Sequence, residues 1–375
     1  MIAIINVPTN IEDFVNLKPW WRTEVPTEVI LSANGIEDLL IKLKHEKKKP
    51  FFILDSELKD QQEFAKIFAQ NSKFIFDASA SEPRTDDVDK LVAYIKTLKE
   101  TPTVLVGIGG GSTIDLTKAT SICYANPKKA QEYQGYEMEM EKGIDIWALP
   151  TLSGTGAEIT PIAVLRGPEK KLGINNKYTS ADVAIIDPQL SSGAIKFNRF
   201  FTMMDCYYHH YEITKSKTSK PEAILDAKDG VRLSREILSR DVEPFKLESS
   251  IKAAMASILG GSSTIGGRVG AAHAISYGLS NSSPCLPHSI AVTISMLALE
   301  TLYPDGYKDT VEFLKINNIA HPKASDYEIG EKDIDKMTNT AMGMGKLWDS
   351  AFGEQKDKYA TEEFMRNIYI KIINQ

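Results

Sequence analysis

The sequence predicts a chain in two parts, an α/β domain built on a parallel sheet over residues 1–191 and an all-α domain over residues 192–375. Up to about residue 190, short apolar runs alternate with amphipathic stretches of helix length, the rhythm of a sheet wrapped by helices. Three consecutive glycines, Gly109, Gly110 and Gly111, end one of those runs and lead into a helical pattern at Thr113. Beyond Leu190 the apolar pattern is helix-period almost throughout.

Glu28 to Ser32 reads as the first strand, and Asn34-Gly35 breaks it before the amphipathic run Ile36 to His45. Lys49 to Asp55 and Lys73 to Asp77 read as further strands, and a helix from Thr85 to Lys99 leads to the glycine-ending strand that starts at Val104. Ile144 to Pro150 follows, then a basic hairpin from Ala163 to Ile174, then a last strand from Val183 that Pro188 stops. The helical patterns run Pro221 to Leu238, Leu247 to Leu259, Ala271 to Leu279, Ser289 to Leu302 and Glu331 to Trp348.

At 375 residues, with 42% apolar and 25% charged, the chain has the composition of a globular protein large enough for two cores. A net charge of −6 argues against nucleic-acid binding but leaves room for a local basic pocket that takes a small anion. The apolar start Met1 to Val7 lacks a basic leader, and no run reaches membrane-spanning length. Cys123, Cys206 and Cys285 show no metal-ligand spacing, so reduced thiols in a cytoplasm are the expectation.

The glycine turn has a chemical reading. Backbone N–H groups in a helix's first turn lack internal partners and carry the positive end of its dipole, and glycine removes the Cβ that would keep an anion away. A pyrophosphate fits such a site, so Gly109, Gly110, Gly111 and Ser112, with Asp115 beyond them, are expected to face a dinucleotide. The cluster Thr151-Leu-Ser-Gly-Thr-Gly-Ala-Glu158 adds Thr151, Ser153 and Thr155 as neutral donors for a diphosphate or a nicotinamide ribose. Asp55, at the end of a strand, either caps a helix or accepts the hydroxyls of an adenosine ribose. In the second role it repels a 2′-phosphate and favours NAD over NADP.

Four of the six histidines fall between His209 and His288. Asp205 and His209 are four apart and share a face if the segment is helical, whereas His210 is turned away and is the weaker candidate. His273 follows small residues and His288 follows Pro287, so a helix, a turn and a second helix start can return both imidazoles to one point. Asp205, His209, His273 and His288 then form a ligand set for one divalent metal, Fe2+ or Zn2+, too rich in nitrogen for Mg2+ or Ca2+.

Together the glycine loop, Thr151 to Glu158, the run Lys171 to Pro188, Asp205 with His209, and His273 with Pro287-His288 resemble the metal-dependent, or iron-containing, alcohol dehydrogenase family, from about Glu28 to the C-terminus. The resemblance implies a dinucleotide-binding parallel-sheet domain, a C-terminal helical metal-binding domain, NAD(P) in the cleft, the four ligands just named, Lys171 among the cofactor-binding residues, and a homodimer. Tyr133 to Tyr136, Arg166 to Asn175, Met204 to Tyr207, His273 to Ser280 and Met342 to Trp348 are similar to the branch that contains 3-deoxy-D-manno-octulosonate 8-oxidase. That branch implies oxidation of a primary hydroxyl on a polyhydroxylated, acidic sugar, or the reverse reaction. Arg166, Lys170, Lys171 or Arg268 would then meet the acid. Tyr277 stands where many members carry a second histidine, and with His273 it is the expected catalytic pair. Short-chain diols, polyols or glycerol phosphate are alternative substrates. A dehydroquinate-synthase-like enzyme is a rival that the four-residue ligand set weighs against, and a metal-braced nucleotide sensor is a non-catalytic one.

Overall fold

The computed structural model describes residues 6–70, 72–78, 82–136, 138–243 and 245–375, so the apolar start Met1–Ile5 lies outside the described residues. Eight strands occur among them: β1 (Glu28–Leu31), β2 (Pro50–Asp55), β3 (Lys73–Phe76), β4 (Val104–Gly109), β5 (Asp145–Pro150), β6 (Ile162–Arg166), β7 (Lys171–Asn175) and β8 (Val183–Ile186). Six form one parallel sheet in the order β1-β8-β5-β4-β2-β3, and β6 with β7 makes a separate antiparallel hairpin. The period of two shows in β2, where Phe52 and Leu54 join Val106 and Leu149 on one face while Phe51 and Ile53 join Leu91 and Leu116 on the other. Covered on both sides, β4 is buried along its whole length, as a central parallel strand requires.

The helical half is built round the helix Lys196–Lys215, whose buried residues include Phe200, Met204, Tyr207, Tyr208 and Tyr211 on several sides of the axis. Helices Pro221–Leu238, Leu247–Gly266 and His288–Ala298 pack against it. The stretch Glu331 to Trp348, expected as one helix, is broken into a 3-10 turn Glu331–Asp333 and helices Ile334–Met342 and Gly345–Phe352. Across the break the Trp348 indole donates to the Ala341 carbonyl at 2.7 Å, folding the second piece back on the first. The helix expected from Ser289 to Leu302 stops at Ala298, and helices Pro304–Ile316 and Glu362–Ile373 complete this half. No helix of the described residues is long and apolar enough to cross a membrane.

One part of the expected division needs correction. Residues ahead of β1 precede the sheet in sequence but pack on the helical half: Phe14 is wholly buried in that core, and Trp20 and Trp21 lie against it. Apolar rings go where apolar surface is available, and polar partners fix them there. The Trp20 indole donates to the Met255 carbonyl at 3.3 Å. The buried Asp226 carboxylate accepts the Arg22 and Thr23 N–H groups, the Arg22 guanidinium and the Ser262 hydroxyl, all within 3.1 Å. Arg22 also reaches Asp229 at 2.8 Å. Asp226→Ala leaves these donors without a partner and is expected to cost about 2–4 kcal/mol of unfolding free energy, read from urea denaturation. A loss no larger than that of an exposed substitution would show that this strap adds nothing to stability.

Candidate functional site

At the end of β4, Gly110 caps the helix Gly111–Ala125. Gly109 has φ +156°, and a Cβ there would come within 2.7 Å of the Thr113 hydroxyl, so the turn excludes any side chain. A Cβ at Gly110 would meet nothing closer than 4.0 Å, which leaves the helix N-terminus open on the cleft side. Gly110, Gly111, Ser112, Asp115, Thr151 and Thr155 wall a cleft of about 640 Å3 that continues to Asp205, His209, His273 and His288. Gly109 and Ser153 are absent from that wall, and Gly109 is buried behind the turn it makes possible.

Asp55 caps the 3-10 turn Ser56–Leu58, its Oδ1 accepting the Glu57 N–H at 3.1 Å, and it also lines the cleft. Burial, assisted by the Glu57 and Asp77 carboxylates and opposed by that hydrogen bond, pushes its pKa up to about 6. Asp115 is engaged within the protein: Oδ2 accepts the Val164 N–H at 3.0 Å and Oδ1 faces the Lys118 ammonium at 3.4 Å. Lys118, which sequence reasoning passed over, is wholly buried and donates also to Ala157 O at 2.9 Å, Thr160 Oγ1 at 3.2 Å and the Ile162 carbonyl. It ties the helix after the glycines to the second glycine loop and to β6.

The basic hairpin is arranged otherwise than expected. Lys171 lines the cleft, but its ammonium meets Glu82 at 2.5 Å. Arg166 meets the other oxygen of Glu82 at 3.1 Å and donates to the Ser280 carbonyl at 3.0 Å, so its guanidinium braces the hairpin against the helix Ala271–Ser282 and does not wall the cleft. Lys170 is exposed outside the cleft wall. Although burial opposes it, Lys171 and Arg166 hold the Glu82 carboxyl below its usual range. Arg268 remains in the wall, its guanidinium 4.8 Å from the ring centre of Tyr136.

Asp205, His209 and Glu212 project from the helix Lys196–Lys215 at i, i+4 and i+7, one stripe of one face. The donor atoms of Asp205, His273 and His288 lie within 4.8 Å of one another. His209 falls outside that group, and its ring stacks on His273 with centroids 4.6 Å apart. Asp205 Oδ1, His209 Nδ1, His273 Nε2 and His288 Nδ1 are all buried without a hydrogen-bond partner among the described residues. Buried polar atoms are rarely left so, and an oxygen with three imidazole nitrogens suits Fe2+ or Zn2+. Glu212 accepts the other ring N–H of His273 at 2.5 Å, which leaves Nε2 as the ring nitrogen that faces Asp205 Oδ1, 3.6 Å away. Against its burial, Glu212 and Asp205 raise the His273 pKa to about 9, whereas burial and the Lys171 charge push His288 down to about 3. His210 is elsewhere: its Nε2 bonds the Ala256 carbonyl at 3.1 Å, and its ring rests on Gly230, where a Cβ would come within 2.1 Å.

One turn after His273, Tyr277 brings its ring to 6.1 Å from that of His288 and lines the same cleft. Burial pushes its phenol well above its ordinary pKa, so the hydroxyl stays neutral.

Residues 26–188 match the family described as iron-containing alcohol dehydrogenase. The long-chain-alcohol dehydrogenase 1 of Geobacillus thermodenitrificans is 30% identical over 202 residues, 53% of this chain and 51% of that protein, so the match spans about half of that relative. The NAD-dependent methanol dehydrogenase of Bacillus methanolicus is 27% identical over 282 residues, covering 72% of this chain and 73% of that protein. Sulfoacetaldehyde reductase from Bifidobacterium kashiwanohense, solved in complex with NAD+, has the same fold with a TM-score of 0.77 at 20% identity, over 96% of this chain and all of that one. An iron-containing alcohol dehydrogenase of Thermotoga maritima superposes with a TM-score of 0.78 at 22% identity, over 95% of this chain and 100% of that one. A glycine turn at a helix start and a carboxylate–imidazole cluster open onto one cleft, and over residues 26–188 the chain is similar to the iron-containing alcohol dehydrogenase family.

Proposed function

We propose that the protein is a metal-dependent, NAD-linked alcohol dehydrogenase that oxidises a primary hydroxyl of a polyhydroxylated, acidic sugar of the 3-deoxy-octulosonate kind to the aldehyde, or reduces that aldehyde. One observation carries the reading. The partnerless donor atoms of Asp205, His273 and His288 open onto the same cleft wall as Gly110, Gly111 and Ser112. An acidic substrate is supported by Arg268 in that wall, and a structural neighbour is named for sulfoacetaldehyde, itself an acidic substrate.

When bound, a divalent ion supplies the Lewis acidity that lowers the pKa of the substrate hydroxyl, and NAD supplies the hydride acceptor. The chain's own contribution is positional. Gly110 and the first N–H groups of the helix at Gly111 offer a pyrophosphate a site without a Cβ in the way. Glu212 fixes the tautomer and orientation of His273. Tyr277, neutral at working pH, can donate to or accept from a substrate hydroxyl through its phenol.

Elemental analysis is expected to give one Fe2+ or Zn2+ per chain, absent from His273→Ala and bound about tenfold or more weakly by Glu212→Gln. Full metal in both His209→Ala and His273→Ala would remove the proposed site. NADH formation from 3-deoxy-D-manno-octulosonate, glycerol and 1,3-propanediol by the metal-loaded protein tests the reaction itself.

Cofactor choice is expected to depend on pH. Asp55 is charged above its pKa of about 6 and repels a 2′-phosphate there; as pH falls through that value the carboxyl is protonated and the preference for NAD narrows. The 2′-phosphate loses charge over the same range, near pH ~6, so Asp55→Ala is the control and should narrow the preference above that pH while changing it little below. Equal kcat/KM for NAD and NADP in the unmodified protein at pH 8 would sink this assignment.

Tyr277→Phe is expected to lower kcat/KM by about tenfold, equivalent to ~1.4 kcal/mol, with metal content and Tm unchanged. Intact turnover with a lowered Tm would instead make Tyr277 a packing residue.

A further inference from the structure

Two basic side chains, Lys171 and Arg268, stand in the cleft wall among the described residues. Lys171 is already met by Glu82. Arg268 has no carboxylate partner among the described residues, and its guanidinium lies over the face of Tyr136. An unpaired arginine is ordinarily a solvated surface charge. This one is part-buried, and its backbone is fixed from both directions. Its N–H donates to the Ser219 hydroxyl at 3.1 Å, and the Ser350 hydroxyl donates to its carbonyl at 2.7 Å. On the preceding residue, Gly267, a Cβ would come within 2.7 Å of the Ser263 carbonyl, so the linker is enclosed there too.

That linker runs from the helix Leu247–Gly266 to the helix beginning at Ala271, which carries His273. Arg268 therefore sits five residues from the imidazole cluster on the same fixed segment. Tyr136 comes from the other side of the chain's division, between the helix Gly111–Ala125 and β5, so this cation–ring pair joins the two sides of the cleft wall. Stacking occupies a guanidinium's face and leaves the N–H groups of its edge free, and that edge matches a carboxylate in bidentate fashion. The geometry points to Arg268, oriented by Tyr136, as the group that pairs with a carboxylate on the substrate and so selects acidic alcohols over neutral ones. This rests on the dehydrogenase reading above and names the residue that gives it its substrate class.

The test compares 3-deoxy-D-manno-octulosonate with 1,3-propanediol, using metal-loaded protein and NAD. Arg268→Ala is expected to lower the ratio of kcat/KM for the acid to that for the diol at least tenfold, with the loss in KM, and to weaken calorimetric binding of the acid by a similar factor. Tyr136→Leu should lower the ratio by threefold or more, and Tyr136→Phe, which keeps the ring, should restore it. If the unmodified protein oxidises the acid and Arg268→Ala leaves the ratio within twofold, the clamp is wrong and the substrate class stands. If the unmodified protein oxidises the diol but neither binds nor oxidises the acid, the clamp and the acidic substrate fall together and the dehydrogenase reading survives. Equal losses in Tyr136→Leu and Tyr136→Phe would overturn the stacking role, because the hydroxyl would then be the active part.

Discussion

Glu212, on the helix Lys196–Lys215, holds both the start of the helix Ala271–Ser282 and a side chain of that same helix. The helix Ala271–Ser282 begins at Gly270, which has no side chain to cap it, so its leading N–H groups need partners from elsewhere. Glu212 Oε1 accepts the Ala272 N–H at 2.7 Å, Oε2 accepts the His273 N–H at 3.4 Å, and the Tyr303 hydroxyl accepts that of Ala271 at 3.2 Å. A carboxylate at a helix N-terminus is favoured by the macrodipole, which offsets part of the cost of burying it at 1% exposure. The same Oε2 receives the ring N–H of His273, so one side chain both starts the helix and aims its imidazole. The position of Tyr277 and the linker that holds Arg268 follow from where that helix starts.

The second constraint is the seam where the two halves touch. Gly156 has φ +67°, and a Cβ there would come within 2.4 Å of the Gly261 nitrogen, so backbone lies against backbone. The Gly156 N–H donates to the Ser257 hydroxyl at 3.1 Å, and that hydroxyl donates to the buried Glu158 at 2.8 Å. Beneath this loop Lys118 gathers carbonyls from Ala157 and Ile162. A contact without intervening side chains fixes the floor of the cleft more tightly than interdigitated long side chains would, because few rotamers are available to adjust it.

Local signals were legible and distant pairings were not. The glycine turn, the alternating strands and the Asp205–His209 spacing are written within a few residues, and they located the sheet, the glycine turn in the cleft wall and one face of the helix Lys196–Lys215. Glu212 was readable as the next position on that stripe, but its use depends on His273, 61 residues on. Arg166 and Lys171 looked like free cations because their common partner, Glu82, precedes Lys171 by 89 residues. The break after Met342 had a signal in Gly343 and Gly345, which the surrounding helix period masked. The strap ahead of β1 was placed with the sheet by proximity in sequence, whereas burial of Phe14 and Trp20 decides its place.

That strap also sets an order of events during synthesis. Arg22 and Asp226 are 204 residues apart, and Trp20 and the Met255 carbonyl that receives its indole are 235 apart. The strands of the sheet emerge and can pair while the helices that receive the strap have not yet been made. Until then Phe14, Trp20 and Trp21 lack the apolar surface against which they pack in the folded chain. Closure of the strap therefore waits until residues 204 and 235 positions further on have been made.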